Sequence, residues 1–106
     1  MTTYTKVTMT YHARVERLDR LAACVEYLGM GDIVLEVAFN NRRFKLTSTG
    51  ICLVCDLHED ILITGYMCPV ERCRAMYHAG GYDRVPPAIY HRVRRNCERY
   101  RFLSEM

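Results

Sequence analysis

DIVLEVAFNNRRFKLTSTGICLVCDLHEDILITGYM, residues 32–67, runs through three apolar segments separated by turn-forming breaks. From Asp32 to Phe39 the pattern has period two, with Ile33, Leu35, Val37 and Phe39 on one face of a predicted strand. Asn40-Asn41 predicts a hairpin turn, because Asn tolerates left-handed backbone angles. A second strand is expected from Arg42 to Leu46, continuing with a bend near Ser48–Gly50 through Ile51–Cys55. LHED, residues 57–60, is the next turn, and Ile61 to Met67 the next strand.

The flanks read as helices. Before the strands, Val15, Leu18, Leu21, Ala22, Val25 and Leu28 form a helical stripe from about Tyr11, stopped by Gly29 or Gly31. Residues 5–10, TKVTMT, alternate and predict a short edge strand. After the strands, Cys68-Pro69 opens a helix that runs to about His78 and stops at Gly80-Gly81. Pro87 opens a terminal helix with the stripe Ile89, Val93, Cys97, Tyr100 and Leu103. The expected fold class is α+β: an N-terminal helix, a three- to four-stranded antiparallel meander and two C-terminal helices, in a single domain spanning 1–106. The helices are expected on one face of the sheet.

Composition narrows the function classes. Half of the residues are hydrophobic and a quarter charged, ordinary for a globular protein. Apolar runs of five or six residues fall far short of the roughly 20 that span a bilayer, so no membrane partner is expected. The start, MTTYTKVTMTYHARVE, has no signal-peptide core, which predicts a cytoplasmic protein with its six cysteines reduced.

Charge is unevenly placed. From Tyr82 onward six arginines face Asp83, Glu98 and Glu105, a net of +3, which equals the net charge of the whole chain. A neutral body with one arginine-rich helix predicts an anionic partner, nucleic acid first and RNA before DNA, held by Arg92, Arg94, Arg95, Arg99 and Arg101. The alternative is a solvated amphipathic helix docked on a core.

Cysteine spacing bears on metal. Cys52-x2-Cys55 with Cys68-x4-Cys73 approaches zinc-ligand arithmetic, but the odd spacing on a strand sends Cys52 and Cys55 to opposite faces. The expectation is therefore buried thiols, with no metal and no cofactor. Cys68, just before a helix, is the best-placed thiol for nucleophilic chemistry, and nothing identifies a partner for it. The chain carries no phosphate-binding glycine loop, HExxH, serine elbow or paired-carboxylate motif.

A second cationic cluster, YHARVERLDR, puts His12 beside Arg14, Arg17 and Arg20. Arg43 and Lys45 alternate with Phe44 on a strand, and Thr64 and Tyr66 lie on a later one, opposite Ile61 and Ile63. If that helix packs on the sheet, His12, Arg17, Lys45 and Tyr66 converge. Cleavage of RNA by its own 2′-hydroxyl needs a base, a cation and an acid, and these side chains fill those roles without a metal. The plainer alternative makes His12 a helix-terminal polar residue and Arg43 and Lys45 a solvent-facing strand edge.

HARVER on an early helix, followed by a meander ending in ILITGYM, resembles the barnase–colicin–RelE superfamily of small ribonucleases and toxins. It resembles more closely phage-type proteins of that fold, with an HAxxR helix and a final ITxY strand. The resemblance covers about residues 10–67, and the tail GGYDRVPPAIYHRVRRN also looks like such phage proteins. It implies that His12 and Arg17 match the helix pair and that Thr64 and Tyr66 match the last strand. The arginine here follows the histidine by five residues, where the pattern has four. The expected function is a metal-independent RNA-binding endoribonuclease or ribonuclease-like toxin, encoded by a phage or mobile element. Such folds also persist without catalysis, which implies the alternative of a phage protein that binds and inhibits a host or defence protein or nucleic acid. Eight tyrosines and no tryptophan support that alternative, with Tyr77, Tyr82 and Tyr90 bracketing the Gly-Gly loop as a surface cluster. The oligomeric state stays open.

Overall fold

The computed structural model describes residues 8–9 and 18–105. The elements in chain order are β1 (Thr8–Met9), α1 (Leu18–Leu28), β2 (Ile33–Phe39), β3 (Arg42–Thr47), β4 (Ile51–Cys55), β5 (Ile61–Met67), α2 (Val70–Ala79), α3 (Pro87–Arg99) and α4 (Arg101–Ser104). The protein is α+β. The sheet order is β1-β5-β4-β3-β2, so β2 to β5 form an antiparallel meander and β1 adds a parallel edge, Thr8 opposite Ile61. The part of the first helix expected over Tyr11–Arg17 lies outside the described residues.

Local chemistry explains the turns. Asn40 and Asn41 adopt φ of 52° and 59°, the left-handed pair that a two-residue hairpin between right-twisted strands requires. The expected continuous strand from Arg42 to Cys55 is instead a second hairpin. The polar run Thr47-Ser48-Thr49-Gly50 reverses the chain: Gly50 N–H bonds Thr47 O at 3.0 Å, and Ile51 N–H donates to Thr47 Oγ1 at 3.0 Å. Gly50 sits at φ +97°, a conformation that side chains resist.

Helices cover both faces of the sheet, against the expectation of one. The cause is β4: all five residues of ICLVC are buried, so the central strand has no polar side to leave in water. On one face, Leu35, Val37, Phe44, Leu46, Cys52 and Val54 pack against α2 and α3 through Cys73, Met76, Tyr77 and Val93. On the other, Ile51, Leu53, Cys55, Leu62 and Met67 pack against α1 and α4 through Leu21, Cys24, Leu28 and Leu103.

Two register shifts revise strict alternation. Ile33 pairs with Thr47 and Leu35 with Leu46, so Val34 is extra and Ile33 joins the α1-side core, away from Leu35 and Val37. In β5, Val54 pairs with Thr64 but Cys55 with Leu62, so Ile63 is extra and Leu62 turns to the α1 side.

The tail is not one helix. α3 ends at Arg99, Tyr100 takes φ −119° and ψ 39°, and a single turn follows. This break carries the chain around the sheet, so Val93 serves the α2-side core and Leu103 the α1-side core. Asn96 in α3 is buried, and its Nδ2 donates to Thr49 O at 2.8 Å.

A methyl group on Gly50 would collide with the Asn96 carboxamide as well as strain the backbone. Gly50→Ala is expected to lower stability by about 2–4 kcal/mol. The check is the urea midpoint, with an unchanged denaturant slope.

Candidate nucleic-acid interface

The arginines of α3 and α4 divide by helical position. Arg92, Arg95 and Arg99, spaced three and four apart, share one side of α3. With Tyr27, Leu28, Asn96 and Tyr100 they line a groove of about 140 Å³ between α3 and the end of α1. Arg92 makes a long 3.5 Å contact to the Leu28 carbonyl, one of the unpaired acceptors that a helix C-terminus presents. Arg95 and Arg99 are exposed and reach no carboxylate among the described residues. Arg94 lies on another side and pairs with Glu98 at 3.6 Å, an exposed pair of little energetic weight. With His91 and Arg95 that pair lines a shallow outer depression. Arg101 is exposed at the start of α4.

The groove carries aromatic rings that charge counting does not reveal. Tyr27 and Tyr100 have ring centroids 5.8 Å apart, and Phe102 meets Tyr27 edge-on at 5.1 Å. Tyr27 is 51% and Phe102 45% exposed, so two large rings stay in water, Tyr27 within the groove beside Arg95 and Arg99. The sequence signal was available in Arg99-Tyr100-Arg101-Phe102, where aromatic and basic residues interleave. Its pairing with Tyr27 depends on where α1 ends.

Of the four expected catalytic residues the structure describes Lys45 and Tyr66, and these two do not converge. Lys45 pairs with Leu53 and Leu53 with Gly65, which puts Lys45 on the α1 side of the sheet. Tyr66 pairs with Cys52 and Cys52 with Leu46, which puts Tyr66 on the α2 side. The sheet itself separates them. Lys45 is buried, not a solvent-facing edge residue, and its Nζ lies 2.7 Å from Asp60 Oδ1. His12 and Arg17 lie outside the described residues. A cation does reach the last strand, and it is Arg20: its guanidinium donates to Thr64 Oγ1 at 3.2 Å and lies 5.5 Å from the Tyr66 ring centroid. Burial pushes the Tyr66 phenol above its ordinary pKa.

No family model, curated protein or solved structure matches this chain. The chemistry rests on the geometry alone.

The thiols lie as buried groups. All six cysteines are free, and Cys52 and Cys55 face opposite cores as their odd spacing predicts. Cys55 is thereby cut off from Cys52, Cys68 and Cys73, so the four cannot hold one ion. Cys68, the candidate nucleophile, is fully buried; the neighbouring Cys52 and Cys73 thiols, together with burial, hold it protonated.

Burial pushes the Cys55 thiol from an ordinary 9.0 to about 11, opposed in part by the Lys45 charge. Below pH 9 the thiol is protonated in folded and unfolded chains alike. Above it the unfolded chain gives up the proton first, so the contribution of Cys55 to stability is lost as pH rises from 9.0 to about 11. Cys55→Ala is expected to flatten the fall in urea midpoint across that window, even though the truncation lowers stability throughout.

Proposed function

We propose that this protein binds single-stranded nucleic acid, RNA before DNA, through the groove between α1 and α3 and the aromatic cluster that shares Tyr27 and Tyr100 with it. The observation that carries this reading is the juxtaposition of Arg95 and Arg99, free of carboxylates among the described residues, with the exposed ring of Tyr27, against which Phe102 stands edge-on. Guanidinium groups spaced along a helix neutralise successive phosphates, while aromatic faces take up bases that are not stacked in a duplex. Arg92, tied to Leu28, braces the groove; Arg94 and Arg101 widen the positive field around it. Six free cysteines support a reducing, cytoplasmic setting, and the phage or mobile-element origin belongs to the same reading. Among the described residues no helix is long and apolar enough to cross a membrane.

A ribonuclease-like activity is a second reading, supported by the reach of Arg20 from the first helix to Thr64 and Tyr66. In that reading His12 exchanges the proton and Arg17 and Arg20 bear the phosphate charge. Lys45, already paired with Asp60, takes no part.

Binding of a labelled single-stranded RNA of roughly 12 nucleotides, followed by anisotropy, is expected to weaken steeply with salt. Arg95→Ala and Arg99→Ala should each make the logarithmic salt slope shallower by about 0.7. Tyr27→Ala should cost about 1–3 kcal/mol at unchanged slope. Affinity independent of salt would overturn the reading.

For the second reading, wild-type protein incubated with bacterial RNA in the absence of metal is expected to leave 2′,3′-cyclic phosphate ends. His12→Ala should leave none. Intact RNA with folded wild type would remove the catalytic claim and spare the binding one.

A further inference from the structure

On the α2 side of α3, away from the strand groove, lies a second concavity. Arg74, Tyr77 and His78 of α2, the segment Tyr82 to Val85, and Tyr90 of α3 enclose a cleft of about 420 Å³. The three tyrosines that bracket the Gly-Gly loop in sequence thus line one cleft, but Tyr77 is buried in the core and is not part of a surface cluster. The cleft falls in the lower part of the roughly 300–1,000 Å³ occupied by small-molecule sites, room for one compact ligand and too little for a folded segment.

The lining states what such a ligand must carry. Tyr77 is buried and fixes the floor; Tyr82 stands edge-on to it at 5.4 Å and is 51% exposed, leaving its ring face open. Arg74 lies 5.5 Å over the Tyr90 ring, with its guanidinium bonded to Tyr90 Oη at 3.3 Å. That contact orients the fork without neutralising it. Neither Arg74 nor Arg84 reaches a carboxylate among the described residues. A flat ring therefore finds tyrosine faces, and an anionic group finds two guanidinium groups that suit phosphate geometry. Asp83 adds an acceptor for hydroxyl or amino hydrogens and repels a long polyanion. Two arginines against one aspartate leave a charge of about +1, which attracts a phosphate monoester while leaving little to hold a longer polyanion.

We propose that this cleft binds a nucleoside monophosphate, with its base on the exposed ring of Tyr82, its phosphate between Arg74, which Tyr90 orients, and Arg84, and Asp83 accepting from the sugar or base. The site is independent of the strand groove: Tyr90 and Arg95 lie on different sides of α3.

Isothermal titration of the full chain with AMP, UMP, adenosine and inorganic phosphate tests it. AMP or UMP is expected to bind saturably, and adenosine and phosphate each at least about ten-fold more weakly. Tyr82→Ala and Arg84→Ala, both at exposed positions, should each weaken the nucleotide about ten-fold or more, whereas Arg95→Ala should leave it unchanged. Failure of both nucleotides to bind would overturn the proposal. So would phosphate or adenosine binding as tightly as the nucleotide, or loss of binding in Arg95→Ala alone. Because Arg95 belongs to the strand groove, the two sites fail separately.

Discussion

The bond from the Asn96 carboxamide to the Thr49 carbonyl is the constraint on which the arrangement of layers rests. Thr49 lies in a four-residue turn that three other parts of the chain also hold. Its hydroxyl donates to Gly29 O at 2.6 Å, Ser48 Oγ accepts from the Asp32 amide, and the Gly50 carbonyl accepts from the Cys68 amide. The end of α1, the start of β2, the exit of β5 and the middle of α3 therefore meet at one corner of the sheet. A buried amide left without its acceptor costs about 1–3 kcal/mol, enough to make this meeting place specific. It sets α3 beside the end of α1, and the groove lined by Arg92, Arg95 and Arg99 is the outer consequence of that placement.

The central strand explains the remaining architecture. β4 pairs on both edges and is buried on both faces, so two helical layers are required and α4 must reach the second of them. Even the buried lysine of the sheet, Lys45, is taken up by packing and by a charge pair with Asp60, in the loop before β5. The exposed aromatic rings of Tyr27, Tyr82 and Phe102 lie on α1, on the loop between α2 and α3, and on α4.

Much of the fold was legible in the sequence because its signals are local. Asn40-Asn41 requires positive φ, Pro87 suits a helix start, and Gly80-Gly81 ends α2. The failures share a physical origin in long-range pairing. Thr47–Gly50 reads as a bend because its reversal depends on Asn96, 47 residues away from Thr49. The bulges at Val34 and Ile63 depend on which partner residue faces them. The break at Tyr100 does not disturb the apolar spacing, which counts Leu103 correctly as buried but assigns it to the wrong layer. For the candidate sites, the arginine-rich helix and the tyrosines of the cleft were visible as composition. The approach of Tyr27 to Tyr100, the capture of Lys45 by Asp60 and the reach of Arg20 to β5 were not, since each joins segments that the sequence keeps apart.

The crossing at Tyr100 also makes the two cores share one short stretch of chain. Val93 fills the α2-side core and Leu103, ten residues later, the α1-side core, while Cys97 between them touches both. A chain cut before Tyr100 would keep every buried member of the α2-side core and lose Leu103 from the other, so the two layers depend unequally on the single turn of α4.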